Sequence, residues 1–174
     1  MKTEAHDRLA GVGEKVTKTV RFSRHDIAAF ARMSLDENPL HLDAQLAQRA
    51  RFGEIIASGQ QSAAVLMGVL ATHFTRCDDG LVRQMLCLNM NFAFKRPLFA
   101  DQEIQLQWNV ASVEWSTKLQ GIVAHLDGRA GVEHASPAVV ARGTILLTLA
   151  GAEESLTAAH SGDRLPVERG HSIA

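Results

Sequence analysis

The chain has 174 residues, of which 46% are hydrophobic and 21% charged, a composition that suits one globular domain with an apolar core. Its formal net charge is -1 and its longest basic cluster is the pair Lys95-Arg96, so we expect no nucleic-acid partner. The two cysteines have no metal-binding spacing, and no apolar segment is long enough for a signal peptide or a membrane span. We therefore expect a cytoplasmic protein with free thiols, no metal and no membrane partner.

The first predicted element is a strand over residues 15–22, where Val16, Val20 and Phe22 alternate onto one face. Ser23 follows as a helix N-cap, with Asp26 three residues later completing a variant of the capping box. This pattern predicts a helix that ends near residue 34.

Two further helices are predicted after a short loop. Pro39 disfavours helix at the residue before it, so we expect a loop over residues 36–39. Asp43 can cap a second, short helix, and Gly53 marks the exit from it. A third helix, over residues 60–74, begins at Ser58-Gly59 and is apolar on nearly every side, which predicts a place inside the protein.

The second half of the chain consists of strand candidates, over residues 85–94, 101–115, 117–126 and 139–149. The segment 127–137 is rich in Gly, Ala and His and is predicted to be an exposed turn. A run of strands after helices predicts an α+β fold, with an antiparallel sheet curled around the third helix. We expect residues 1–150 to form one domain and the polar segment 151–174 to be a flexible tail.

The segment 34–43 (SLDENPLHLD) carries the strongest functional signal. Asp36 and His41 lie five residues apart across a loop stiffened by Pro39. A carboxylate and an imidazole at this spacing could hold a water molecule between them and move a proton near neutral pH. Taken alone, a turn-forming Asp and a surface His explain the same residues.

The surrounding residues resemble the MaoC-like family, which includes the R-specific enoyl-CoA hydratases. The family pattern runs D-x-N-P-[IL]-H-x-D, then F-G, then I-A-x-G. The match is close over residues 22–70 and returns at residues 94–101, and the residues that carry it are Asp36, Asn38, Pro39, Leu40, His41, Asp43, Phe52-Gly53 and Ile56-Ala57-Ser58-Gly59.

The resemblance implies a hotdog fold, in which an antiparallel sheet wraps one long helix. It also implies that Asp36 and His41 hold and activate a water molecule, while the backbone N–H of Gly59 polarises a thioester oxygen. The implied reaction is the reversible addition of water across the C2–C3 double bond of a 2-enoyl-CoA, without a cofactor. An acyl carrier protein could present the thioester in place of coenzyme A.

One departure from the family concerns the acyl pocket. Many relatives have His before the glycine, whereas this chain has Ser58, and Gln60 and Gln61 follow the glycine. These residues predict a pocket for a polar or branched acyl group, although a solvated first helical turn explains them as well.

Three more residues are candidates for binding the substrate. Asn38 is expected to position the loop or to contact the substrate. Lys95 and Arg96 are predicted to contact coenzyme A phosphates, and a charge pair at the end of a strand is the alternative.

Two other functions are compatible with the fold: a hotdog thioesterase, and a non-catalytic subunit of a hetero-oligomeric dehydratase. The Asp36 and His41 pair favours the hydratase over both. Because a single hotdog leaves a sheet edge open, we expect a homodimer or a higher homo-oligomer.

Overall fold

The computed structural model describes residues 9–150, so the predicted tail lies outside the described residues. Five strands form one antiparallel sheet in the order β1-β3-β4-β5-β2, which confirms the α+β class. In chain order the elements are β1 (Lys15–Arg21), α1 (Arg24–Met33), α2 (Pro39–Leu42), α3 (Ala44–Arg49), α4 (Gly59–Phe74), β2 (Arg83–Phe94), β3 (Glu103–Ser116), β4 (Gly121–Gly131) and β5 (Val139–Leu149). No helix in this part of the chain is long and apolar enough to cross a membrane.

The core lies between the sheet and one face of α4. Strand β3 alternates as predicted, and its buried side chains are Ile104, Leu106, Trp108 and Val110. The Nε1–H of Trp108 donates to the backbone carbonyl of Leu66 at 2.8 Å, which fixes the middle of the helix against the sheet.

Helix α4 is not enclosed on all sides, contrary to the prediction from its composition. Its buried face carries Leu66, Leu70 and Phe74, whereas Ala64 and Gly68 on the opposite face are exposed. Small side chains present little apolar surface to water, so this helix can leave one face open without polar residues.

The first and third helices, α1 and α3, begin at residues whose side chains cap them. The hydroxyl of Ser23 accepts a hydrogen bond from the Asp26 N–H at 3.1 Å, and Asp26 accepts one from the Ser23 N–H at 2.9 Å, which confirms the capping box. These bonds, first from the side chain and then from the backbone of Ser23, lower the pKa of Asp26 below its ordinary value. Asp43 caps α3 as predicted.

The short helix α2 was not predicted. Asn38 caps it by accepting a hydrogen bond from the Leu40 N–H at 3.1 Å, and Pro39 occupies its first turn. Proline disfavours helix at the residue before it, yet its fixed φ suits a helix start. The same residue therefore ends the loop and begins the turn that carries His41.

The boundaries of β4 correct the sequence analysis. The strand extends to Gly131, so residues 127–131 are not part of an exposed turn, and the irregular connection covers 132–138. Gly128 lies against the ring of Trp108, where an added Cβ would lie only 2.5 Å from ring atom Cζ3. Gly128, one of the small residues that suggested a loop, is the residue that fits against this indole.

Candidate active site

The end of α1 fixes the position of Asp36. Leu35 has a left-handed φ of 59°, its N–H donates to the Arg32 carbonyl at 3.2 Å, and the Asp36 N–H donates to the Ala31 carbonyl at 2.8 Å. This pair of bonds is a Schellman motif built on a non-glycine residue. One carboxylate oxygen of Asp36, Oδ1, then accepts from the Asn38 N–H at 3.2 Å, which leaves Oδ2 free of the loop backbone.

His41 lies on α2, and its side chain is 8% exposed. Its Nδ1 lies 2.7 Å from the backbone carbonyl oxygen of Ile56. A carbonyl can only accept, so Nδ1 carries the hydrogen, and in the neutral ring Nε2 has the free lone pair. The segment that supplies this carbonyl is fixed by a bridge from Ile56 to Phe99 and by a 2.8 Å bond from the Ala57 N–H to the Leu98 carbonyl.

The two side chains meet with Nε2 of His41 3.6 Å from Oδ2 of Asp36, whose side chain is 20% exposed. When the imidazole is neutral, both atoms are acceptors and have no hydrogen to share. A water molecule with two O–H donors can satisfy both at once. The pair is therefore suited to hold and deprotonate a water molecule.

Gly59 is the first residue of α4. Ser58 caps the helix by accepting from the Gln61 N–H at 3.1 Å, whereas the Gly59 N–H has no acceptor within the helix. An added Cβ on Gly59 would lie 3.2 Å from the Phe94 ring, so only glycine leaves this close approach undisturbed. A backbone donor at the positive end of a 16-residue helix suits an oxygen that develops negative charge.

A cavity of about 350 Å³ brings these groups together. Five of the predicted site residues line it: Asn38, His41, Gly59, Lys95 and Arg96. Asp36 reaches it through its contact with His41. Two predicted substrate-binding residues do not line it, because Ser58 is buried as the helix cap and Gln60 is exposed.

Three lining residues were not among the predicted site residues. Ser62, one turn after Gly59, lines the cavity, and its hydroxyl donates to the Ser58 carbonyl at 3.1 Å. Its helical spacing from Gly59 was the available signal. Phe94 and Arg51 also line the cavity. They are more than 40 residues apart in sequence, so only the fold brings them to one cavity.

Both cysteines, Cys77 and Cys87, are exposed and carry free thiols. Within residues 9–150, no group of three His, Cys, Asp or Glu side chains is placed to hold a metal ion.

Comparison with known proteins places this chain in a family. A family model described as "MaoC like domain" matches residues 9–130, which is more than half of the chain. The chain belongs to the MaoC-like domain family. This confirms the resemblance predicted from the D-x-N-P-L-H-x-D segment and its neighbours.

Two relatives are similar to this chain in sequence. The "(R)-specific enoyl-CoA hydratase" of Aeromonas caviae is 30% identical over 102 residues, which are 59% of this chain and 72% of that protein. The mitochondrial "3-hydroxyacyl-[acyl-carrier-protein] dehydratase FERN" of Solanum lycopersicum is 23% identical over 111 residues, 64% of this chain and 62% of that protein. The chain thus spans less than two thirds of the tomato protein. Both relatives are, by name, hydratases or dehydratases of acyl thioesters, which are lyases.

Solved structures confirm the hotdog fold. The (R)-hydratase from A. caviae superimposes with a TM-score of 0.68 at 26% identity, covering 78% of this chain and 96% of that one. The R-hydratase PhaJ1 from Pseudomonas aeruginosa gives a TM-score of 0.65 at 23% identity, covering 95% of this chain and 94% of that one. The likeness in both matches is one of fold, which in this chain is a five-stranded antiparallel sheet packed against one face of α4.

Proposed function

We propose that this protein adds water reversibly across the C2–C3 double bond of a 2-enoyl thioester. The observation that supports this most is the orientation of His41. Its Nδ1–H is held by the Ile56 carbonyl, so that Nε2 faces the Asp36 carboxylate at 3.6 Å beside the cavity. This is the arrangement that an acid–base pair acting on one water molecule requires.

In the proposed reaction, the water donates one hydrogen to Nε2 of His41 and the other to Oδ2 of Asp36. As the water oxygen attacks C3, His41 takes the first proton, and the electron pair of the double bond moves toward the thioester carbonyl. The imidazolium so formed is stabilised by the neighbouring carboxylate. The pair then returns a proton to C2, so that one water molecule has been added and the protein is unchanged. Dehydration is the same path in reverse.

The negative charge that develops on the thioester oxygen is assigned to the N–H of Gly59. A preorganised donor stabilises this charge more than it stabilises the neutral carbonyl, and this difference lowers the barrier. The chemistry requires only an acid–base pair and this donor, so the proposal includes no metal or redox cofactor.

The carrier of the acyl group is proposed to be coenzyme A or an acyl carrier protein. The two relatives described above are named for one carrier each. The two exposed free thiols favour a reducing compartment, which supports the prediction of a cytoplasmic protein.

The direct test follows the enoyl absorbance of crotonyl-CoA and the release of free thiol in parallel. A hydratase removes the absorbance of the conjugated double bond without releasing thiol. Thiol release would indicate the thioesterase instead. No change in either signal, also with longer and branched enoyl-CoA substrates, would favour a non-catalytic subunit.

We further propose that two copies pair through β2. This strand lies at one edge of the sheet and exposes large apolar side chains, with Leu86 59%, Leu88 46% and Phe94 52% exposed. Pairing of two such edges would satisfy the free backbone groups and cover this apolar surface. Because Phe94 also lines the cavity, a partner on this edge would lie beside the site.

Light scattering tests the dimer. The wild-type protein should have twice the mass of the chain, and Leu86→Lys should shift it toward the monomer because a charge on an edge opposes pairing. Thr17→Lys, an exposed position on the opposite edge strand β1, is the control and should leave the mass unchanged. A monomeric wild-type protein that stays active at high dilution would contradict the proposal.

A further inference from the structure

One side-chain hydrogen bond in the first turn of α4 acts on the peptide unit that carries the Gly59 N–H. The hydroxyl of Ser62 donates to the Ser58 carbonyl at 3.1 Å. That carbonyl and the Gly59 nitrogen belong to the same peptide unit, and both Gly59 and Ser62 line the cavity. Ser62 is therefore bonded to the opposite end of the group that the proposed mechanism uses as its backbone donor.

The Ser58 carbonyl has a partner without this hydroxyl. It also accepts the regular helical bond from the Ser62 N–H, at 3.2 Å. Serine is a weaker helix former than alanine, and a hydroxyl bonded to the carbonyl four residues earlier tends to bend a helix. Ser62 is 3% exposed, so its hydroxyl is not there to contact solvent. The smaller alanine would serve the fold at least as well, so the hydroxyl calls for a reason other than stability.

The direction of the Gly59 N–H is already fixed by other bonds. The Ser58 hydroxyl accepts from the Gln61 N–H at 3.1 Å, which holds the start of the helix. The segment just before it is held by the bond from the Ala57 N–H to the Leu98 carbonyl at 2.8 Å. Ser62 can therefore change how strongly the Gly59 N–H donates more than it changes where this group points.

A hydrogen bond accepted by an amide carbonyl draws electron density from the nitrogen of the same amide, so that its N–H becomes a stronger donor. We propose that Ser62 is a positioning residue of the active site. Its hydroxyl polarises the peptide unit between Ser58 and Gly59 and so strengthens the hydrogen bond from the Gly59 N–H to the thioester oxygen. This inference rests on the proposed function for the identity of that oxygen.

The other end of α4 provides a matched control. The hydroxyl of Thr75 donates to the Ala71 carbonyl at 2.8 Å, and the Thr75 N–H donates to the same oxygen at 3.0 Å. The two bonds have the same arrangement as those of Ser62, but Thr75 is exposed and does not line the cavity. Thr75→Ala therefore removes an equivalent bond from the same helix, away from the site.

Nuclear magnetic resonance of the backbone amide nitrogens measures the polarisation without a substrate. When the preceding carbonyl loses a hydrogen bond, electron density returns to the amide nitrogen and its resonance moves upfield. We expect Ser62→Ala to move the Gly59 resonance upfield, and Ser62→Thr to keep it close to wild type because the hydroxyl remains. Thr75→Ala should move the resonance of Thr72 in the same direction and leave Gly59 unchanged.

Hydration of crotonyl-CoA measures the effect on the reaction. A backbone donor to a developing oxyanion is worth about 10²–10³ in kcat, and one hydrogen bond strengthens the next by about 10–30%. Because rate depends exponentially on free energy, that share amounts to about 2- to 8-fold. Ser62→Ala should lower kcat by this factor with little change in KM, Ser62→Thr should restore it, and Thr75→Ala should match wild type.

Two results would overturn the proposal. If Ser62→Ala leaves the Gly59 resonance in place, the peptide is not polarised, and any fall in kcat then comes from direct contact between Ser62 and the substrate. If the resonance moves but kcat is unchanged, the polarisation has no part in the reaction.

The resonance does not depend on turnover, so the two proposals can fail separately. If wild type hydrates no enoyl-CoA while Ser62→Ala moves the Gly59 resonance, the polarised N–H stands and the proposed activity is refuted. If wild type hydrates crotonyl-CoA and Ser62→Ala changes neither the resonance nor kcat, the activity stands and the role of Ser62 is refuted.

Discussion

The two ends of helix α4 differ in what they bury. At the N-terminal end the buried side chains are polar, namely the cap Ser58 and then Gln61 and Ser62 of the first turn. From Leu66 onward the buried face is apolar and includes Leu70 and Phe74. One helix thus has a polar buried turn at the end where Gly59 and Ser62 line the cavity, and an apolar buried face against the core.

The two ends of α4 therefore have different roles, one in the site and one in the core. The N-terminal end has a free backbone donor and faces the loop that carries Asp36 and His41, whereas the C-terminal end contributes buried apolar area. Burying polar groups costs stability, so the apolar end has to offset what the site end loses. Substitutions of the catalytic groups at the site end should therefore change activity more than stability, and substitutions at the core end should do the opposite.

The largest effect is expected from the catalytic pair. Asp36→Asn and His41→Ala should each lower kcat by about 10²–10⁴-fold, because each removes a positioned acid–base group. Enoyl-CoA hydration measures the rate, and circular dichroism checks that the fold is retained. A variant that keeps a near wild-type kcat would remove that residue from the mechanism.

The next effect is expected at the core end. Leu70 is 0% exposed, so Leu70→Ala should lower the free energy of unfolding by about 2–5 kcal/mol while the folded fraction keeps its kcat. Urea denaturation measures the change. Thr72→Ala, an exposed position on the same helix, should stay within about 0.5 kcal/mol of wild type. The comparison between the helix ends fails if Leu70→Ala lowers kcat as strongly as it lowers stability.

A smaller effect is expected from the glutamines. Gln61 is 4% exposed, and among the described residues its Oε1 has no hydrogen-bond partner. Gln61→Met should therefore raise the free energy of unfolding by about 1–3 kcal/mol, since it removes a buried unsatisfied group. Gln60→Met, at an exposed position, should change little.

The same pair of variants tests whether the acyl group is polar. If the substrate supplies the partner that Gln61 lacks, Gln61→Met should improve turnover of crotonyl-CoA and impair turnover of enoyl substrates with a hydroxyl or carboxylate. An unchanged rate with every substrate for substitutions at positions 58, 60 and 61 would assign acyl preference to the sheet residues.

The parts of the fold that the sequence predicted best depend on local chemistry. The Ser23 and Asp26 capping box and the Asp43 cap act over three residues, so their signals lie next to each other in the chain. The extent of β4 was missed because Gly128 is explained by Trp108, a strand neighbour 20 residues away in sequence. Long-range packing overrode the local composition there.

The site shows the same division. Asp36 and His41 were predicted from their spacing within one continuous segment, and Gly59 was predicted from the resemblance to the family. The carbonyl of Ile56 has no sequence signal, since every residue has a carbonyl, yet it determines which nitrogen of His41 is free. Arg51 could not be predicted either, because only the fold brings it beside Lys95 and Arg96.

The smallest predicted effect concerns the strain beside Asp36. Leu35 holds a φ of 59° and is 88% exposed, so its side chain contributes little packing to offset the left-handed backbone. Leu35→Gly should raise the free energy of unfolding by up to about 1 kcal/mol, because the relief of the Cβ clash exceeds the added entropy of the unfolded chain. Leu35→Ala keeps the Cβ and is the control, with stability close to wild type. Thermal denaturation of the three proteins measures the difference, and a Gly variant less stable than the Ala variant would show that the left-handed residue is not strained. If Leu35→Gly gains stability but loses kcat, the restricted backbone at Leu35 holds Asp36 in the position that activates water. The loop before α2 would then lower the stability of the fold in order to position a catalytic group, as the buried polar residues in the first turn of α4 do.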